Sequence, residues 1–144
     1  MREVNLDRLR ELAGHMRDAV RELEAIGQTP KETFLKDSRL VNAAKYLLIV
    51  AAEAALDMCN HLAARKGGRS PADYADCIAI LREIGALDEE LTPRFIRLAK
   101  FRNLVVHLYG KVDDAEIYRV IHEDLGDFDR YLASIGDYLR ADLR

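Results

Sequence analysis

Ser38-Arg-Leu-Val-Asn-Ala-Ala-Lys-Tyr-Leu-Leu-Ile-Val-Ala-Ala-Glu-Ala-Ala-Leu-Asp-Met-Cys-Asn-His-Leu-Ala-Ala-Arg65 reads as one long helix. Leu40, Val41, Ala44, Leu47, Leu48, Ala51, Ala55, Met58 and Leu62 recur along it at helical spacing. It is apolar over much of its girth, so it should be the most buried helix of the chain. Ala51, Ala52, Ala54 and Ala55 permit close approach of neighbours. Asp37 or Ser38 is placed to cap it. Glu53, Asp57 and His61 form the exception, a polar line of successive helical turns. Burying a lone carboxylate is costly. These groups therefore lie at the solvent edge or face cationic partners, Arg102 or His107, across the bundle.

The segments around it are helical too. Leu6, Leu9, Leu12, Met16, Val20, Leu23 and Ile26 give a first helix over about Val4–Ile26, stopped by Gly27. Thr29-Pro-Lys-Glu32 has the form of a capping box before a short turn through Phe34 and Leu35. Ser70-Pro71 should open a short third helix that Gly85 stops, with Tyr74, Ile78, Leu81 and Ile84 in register. Thr92-Pro93 should cap a fourth that runs to Gly110. Asp113 or Asp114 should cap a fifth that continues through Leu139, loosened slightly at Gly126 and Gly136. No segment alternates with period two, and there is no Asn-Gly or Asp-Gly hairpin signal. The expectation is all-α: a single domain over residues 1–144, an up-down bundle of four main helices plus a shorter one.

A chain of 144 residues, 49% hydrophobic and 33% charged, can build a core without staples. Cys59 and Cys77 have no paired spacing, which suits two reduced, packed thiols. The charged start Met-Arg-Glu-Val-Asn-Leu-Asp does not resemble a signal peptide. Glu53 and Asp57 interrupt the most apolar run, Tyr46–Met58, so no membrane partner is expected. These readings place the chain in the cytoplasm. The net charge of −3 argues against a general nucleic-acid binder. Yet Leu91–Val112 contains no Asp or Glu and holds Arg94, Arg97, Lys100, Arg102 and Lys111. That window carries +5 and the remainder −8. Such a strip can draw in a polyanion locally.

Within it lies Lys100-Phe-Arg-Asn-Leu-Val-Val-His-Leu-Tyr-Gly110. At about 100° per residue, Leu98, Phe101, Val105 and Leu108 fall together toward the core. Arg102 and Tyr109 nearly superimpose at one edge, with Asn103 and His107 a further third of a turn round. Arg102 is a permanent planar cation suited to a phosphate. His107 titrates near working pH and can take or give a proton. Asn103 can orient the imidazole or donate to the phosphate, and Lys100, Glu53 and Asp57 are candidate supports. No Cys or second His stands at metal-ligand spacing, and no cofactor is implied. This points to metal-independent phosphate chemistry. The spacing alone is weak, because Arg10-Glu-Leu-Ala-Gly-His15 repeats it without the Asn, the Tyr or the acid-free surroundings.

Arg102-Asn-Leu-Val-Val-His107-Leu-Tyr109 resembles the R-x4-H-x-Y signature of the HEPN superfamily, in its HepT-like toxin branch. Phe34-Leu-x-Asp37-x-Arg39, Glu53-Ala-Ala-Leu-Asp57-Met-Cys-Asn-His61-Leu, Pro71-x-x-Tyr74, Leu81-x-x-x-Gly85-x-Leu87 and Val112-Asp113-x-x-x-Ile117-Tyr118 resemble its other segments, over about residues 34–135. The resemblance implies a homodimeric ribonuclease toxin, with tRNA among its targets. Arg102 and His107 would be catalytic in a composite cleft, and Asn103 would support them. A partner antitoxin, a minimal nucleotidyltransferase, would transfer AMP to Tyr109 and silence the enzyme. The other reading is a non-catalytic helical subunit that binds a nucleotide or such a partner.

Overall fold

The Asp37 carboxylate starts the central helix by accepting the Arg39 and Leu40 backbone N–H groups at 3.0 and 3.4 Å. The computed structural model describes residues 3–108 and 111–144, and among these there is no strand. The described residues form α1 (Leu6–Gly27), α2 (Lys31–Lys36), α3 (Ser38–Lys66), α4 (Tyr74–Glu83), α5 (Leu91–His107), α6 (Asp114–Glu123) and α7 (Gly126–Leu139). The all-α bundle expected from periodicity is what forms.

Helix α3 is its spine. It packs against α1, α2, α4, α5 and α6. By length and mean hydropathy it could cross a bilayer, but Val41, Leu48, Leu56, Met58, Leu62 and its buried alanines pack among the other helices. Ala51, Ala52, Ala54 and Ala55 are all buried, so the close approach they permit is used. On the far side, Phe95 of α5 stacks on Tyr131 of α7 with centroids 4.4 Å apart. The Tyr131 hydroxyl then donates to the Ala55 carbonyl of α3 at 2.6 Å. That chain of contacts fixes α5, the helix that carries the motif, against the spine.

Four expectations fail locally. The fifth helix is two helices: it breaks at Asp124 and Leu125. Leu125 turns into the core, while Asp124 stays out beside Arg94 and Arg119. Gly136 does not loosen the last helix, since a Cβ there would meet the Ala141 carbonyl oxygen at 2.6 Å. Its missing side chain lets the chain end fold back. Ser70-Pro71 does not open the third helix; Asp73 does, by accepting the Asp76 N–H at 2.7 Å. Neither threonine caps. The Thr29 carbonyl takes the Tyr118 hydroxyl at 2.8 Å, and the Thr92 hydroxyl donates backwards to the Asp88 carbonyl at 3.0 Å.

Candidate functional site

Leu91, Phe95, Ala99 and Val105 are the buried anchors of α5. Arg102 lies beside them on the wheel, and its side chain keeps only 17% of its surface exposed. Its guanidinium reaches across to α3, where Nε donates to Glu53 Oε1 at 2.9 Å and Nη2 donates to the same oxygen. Nη1 donates to Asn103 Oδ1 at 2.8 Å. The guanidinium carbon also sits 5.6 Å from the ring centroid of Tyr74, on α4. Three helices therefore converge on one cation and hold it in place before any ligand arrives.

Of the polar line on α3, Glu53 binds Arg102 directly. One turn on, burial pushes the Asp57 carboxyl up, the Glu53 charge adds to the rise, and Arg8 and Arg102 oppose it. Asp57 thus belongs to the charge cluster around Arg102. His61 does not. Its Nε2 accepts the Asn5 backbone N–H at 3.0 Å, at the start of α1. Burial lowers its pKa, helped by Arg65 and then Arg8. Asn103 supports the arginine by accepting from it and leaves the imidazole unsupported.

His107 is the last residue of α5 and is exposed. Five residues separate it from Arg102, about 140° round the helix and about 7.5 Å along it. The structure does not bring these two into contact. Among the described residues His107 has no hydrogen bond or ion pair. The expected continuation to Gly110 does not form as helix: Leu108 leaves the helical region at φ −125°, ψ 39°. This rotates its side chain off the apolar stripe, so Leu108 is 46% exposed and does not join the core. Tyr109 and Gly110 lie outside the described residues.

Lys100, Asn103, Leu104 and His107 all lie on the outward face of α5 and are exposed. Among the described residues Lys100 has no hydrogen bond or ion pair to the Arg102 cluster and contributes only charge nearby. Leu104, Val106 and Leu108, with Tyr46 on α3, are large apolar side chains that stay exposed among the described residues. Residue reading missed two members of the cluster. Tyr74 is legible in the sequence by core register and in the Pro71-x-x-Tyr74 segment but not as a partner of Arg102, and Arg8 has no local signal. Among the described residues no three His, Cys, Asp or Glu side chains gather as metal ligands. The two cysteines do meet, both buried; a hydrogen bond with Cys77 and then burial push the Cys59 thiol up.

The second Arg-x4-His is unlike the first. Among the described residues Arg10, 53% exposed, has as ion-pair partner only Asp7, on its own helix, at 3.9 Å. No other helix holds it.

A family model described as ribonuclease HepT-like matches residues 16–135. A protein of Archaeoglobus fulgidus, described as a candidate RNase, is 28% identical over 117 residues, 81% of this chain and 86% of its own. Among solved structures, a tri-AMPylated Shewanella oneidensis HEPN toxin in complex with an MNT antitoxin matches with a TM-score of 0.84. Identity is 18%, over 91% of this chain and 98% of that one. YutE of Bacillus subtilis, a cytosolic protein of unknown function, matches with a TM-score of 0.82 and 20% identity, over 97% and 94% of the two chains. At such identities the structural matches speak for the fold, and the HEPN-like bundle that the motif implied is the fold observed.

Proposed function

The chain belongs to the ribonuclease HepT-like family, and from that membership we propose that it is a metal-independent endoribonuclease, the toxin of a type VII-like toxin–antitoxin pair. The observation that carries this reading is Arg102, braced by Glu53, Asn103 and Tyr74 on the helix that ends in an exposed His107. In this mechanism the neutral His107 imidazole removes the 2′-hydroxyl proton of RNA. The freed oxygen attacks the adjacent phosphorus, and the 5′-oxygen leaves. Arg102, kept in place by Glu53 and Asn103, turns its two remaining N–H groups to the phosphorane charge. His107 of a second copy protonates the leaving oxygen, so one site draws on two chains. The exposed Leu104, Val106, Leu108 and Tyr46 support a homodimer that closes the cleft.

The partner in this reading is a minimal nucleotidyltransferase antitoxin. It transfers AMP from ATP to Tyr109, two residues beyond His107 in the sequence, and the added phosphate charge repels RNA and competes for Arg102. The Shewanella toxin, described as tri-AMPylated and complexed with an MNT antitoxin, supports this. tRNA is the substrate class to try first. The purified protein should cleave RNA in EDTA, and His107→Ala should abolish cleavage while the helical signal persists. Equal cleavage by that variant would sink the assignment. Intact mass after incubation with ATP and the partner should rise by whole AMP units in the unsubstituted protein, and Tyr109→Phe should stay unchanged. A rise in both would move the acceptor elsewhere.

The gap between Arg102 and His107 within one copy favours a second reading, a non-catalytic subunit that binds a nucleotide or the partner. Binding of the partner without RNA cleavage under any condition would select it.

A further inference from the structure

On the flank of α5 turned away from Asn103, a cavity of about 380 Å³ opens between α5, α6 and α7. Its size is within the range of small-molecule sites, roughly 300–1,000 Å³. The floor is apolar and largely aromatic: Leu98 and Phe101 of α5, Val120 of α6 and Phe128 of α7. The rim is charged with both signs and already ordered. Arg94 Nε donates to the Asp127 carboxylate at 2.8 Å, and Arg119 holds Glu116 at 2.7 Å. Arg97 also lines the rim. It is exposed and has no ion pair among the described residues.

An inorganic anion does not need an aromatic floor and would be repelled by the rim carboxylates. A lipid tail would not match the charged rim. A nucleobase fits both parts, with a π-face for the partly exposed Phe101 and an edge of donors and acceptors for fixed carboxylates and guanidiniums. From Arg97 a track of exposed side chains then runs along the outer face of α5 through Lys100 and Leu104 to His107. These residues are three or four apart, so they share one face. The ten residues from Arg97 to His107 span about 15 Å, a few nucleotides of extended strand. No Asp or Glu interrupts the stretch.

We infer that this cleft is a second RNA subsite: it takes one unstacked base of the substrate strand, a few nucleotides from the bond held at Arg102 and His107. The assignment of RNA as ligand rests on the ribonuclease reading above. The test uses the full-length His107→Ala protein and mixed-sequence oligoribonucleotides with a single 4-thiouridine stepped along the strand. Near-ultraviolet cross-links mapped by mass spectrometry should fall on Phe101 at one register. They should drop several-fold in Leu98→Trp, which fills the floor, and in Arg97→Glu, which alters only an exposed side chain. Cross-links confined to other helices, or unchanged in both variants, overturn the subsite. Displacement by an equal concentration of free mononucleotides overturns it in favour of a mononucleotide site. Cleavage by the unsubstituted protein is measured in parallel. Cross-links in the cleft without cleavage would remove the ribonuclease reading and keep the subsite; cleavage without them would do the reverse.

Discussion

Arg10–His15 and Arg102–His107 share a spacing and a helical setting, yet their surroundings differ. On α1 the arginine extends into solvent and its single carboxylate neighbour is at 3.9 Å on the same helix. On α5 the arginine is folded back onto α3, takes two hydrogen bonds to Glu53 and one to Asn103, and lies over Tyr74 of α4. The histidines are similar, since both are exposed. The difference is therefore in the cation and in the helices that converge on it. An isolated side chain must be ordered at the moment of reaction; one already held by its neighbours has lost that freedom during folding.

The sharpest test of this contrast is the arginine itself. Arg102→Ala should lower RNA cleavage by roughly 10²–10³-fold, the size expected when one donor to a developing anion is removed. Arg10→Ala should leave the rate unchanged. A comparable loss at Arg10 would show that the contrast has no catalytic meaning.

A smaller effect is expected from the brace. Glu53→Gln keeps the shape and removes the charge. Hydrogen bonds to charged groups contribute more than neutral ones, but Glu53 is about one-third exposed, which screens the pair. The expected destabilisation is about 1 kcal/mol, a fall in Tm of roughly 2–4 °C. kcat should fall more than KM rises, since binding is kept while the position of Arg102 is relaxed. Faster cleavage would instead mean that Glu53 competes with phosphate for the guanidinium. Asp7→Asn, the matching change at Arg10, should alter neither stability nor rate.

How much of this was written locally in the sequence follows from the range over which each signal acts. Asp37 and Asp113 were readable as caps because a cap works within three residues of itself. Gly14 and Gly126 look alike in sequence, but α1 runs through Gly14 and the last helical segment breaks just before Gly126. What separates them is tertiary: Leu125 is buried and Asp124 is tied to Arg94 and Arg119. The site divides in the same way. Arg102, Asn103 and His107 came from a motif eight residues long. Glu53 was visible as a carboxylate on an apolar helix, but which cation it would meet was not. Tyr74 and Arg8 became members only when α4 and α1 packed. Leu108 fell on the apolar stripe only because the wheel carries the helix to Gly110, whereas α5 ends at His107.

The smallest effect concerns a histidine that flanks this machinery. His61 accepts the Asn5 N–H through Nε2, so the fold uses its neutral ring, and burial with Arg65 and Arg8 holds its pKa below 6.5. The unfolded chain then binds a proton over a range where the folded chain does not, and stability rises with pH across that range. The contribution is complete above about 6.5 and is lost as pH falls through the lowered folded value. Thermal melts between about pH 5 and 7.5 should therefore show a slope that His61→Gln reduces, by an amount on the order of one degree. Equal slopes for His61→Gln and the unsubstituted chain would mean that the contact between α3 and the start of α1 does not depend on the neutral ring.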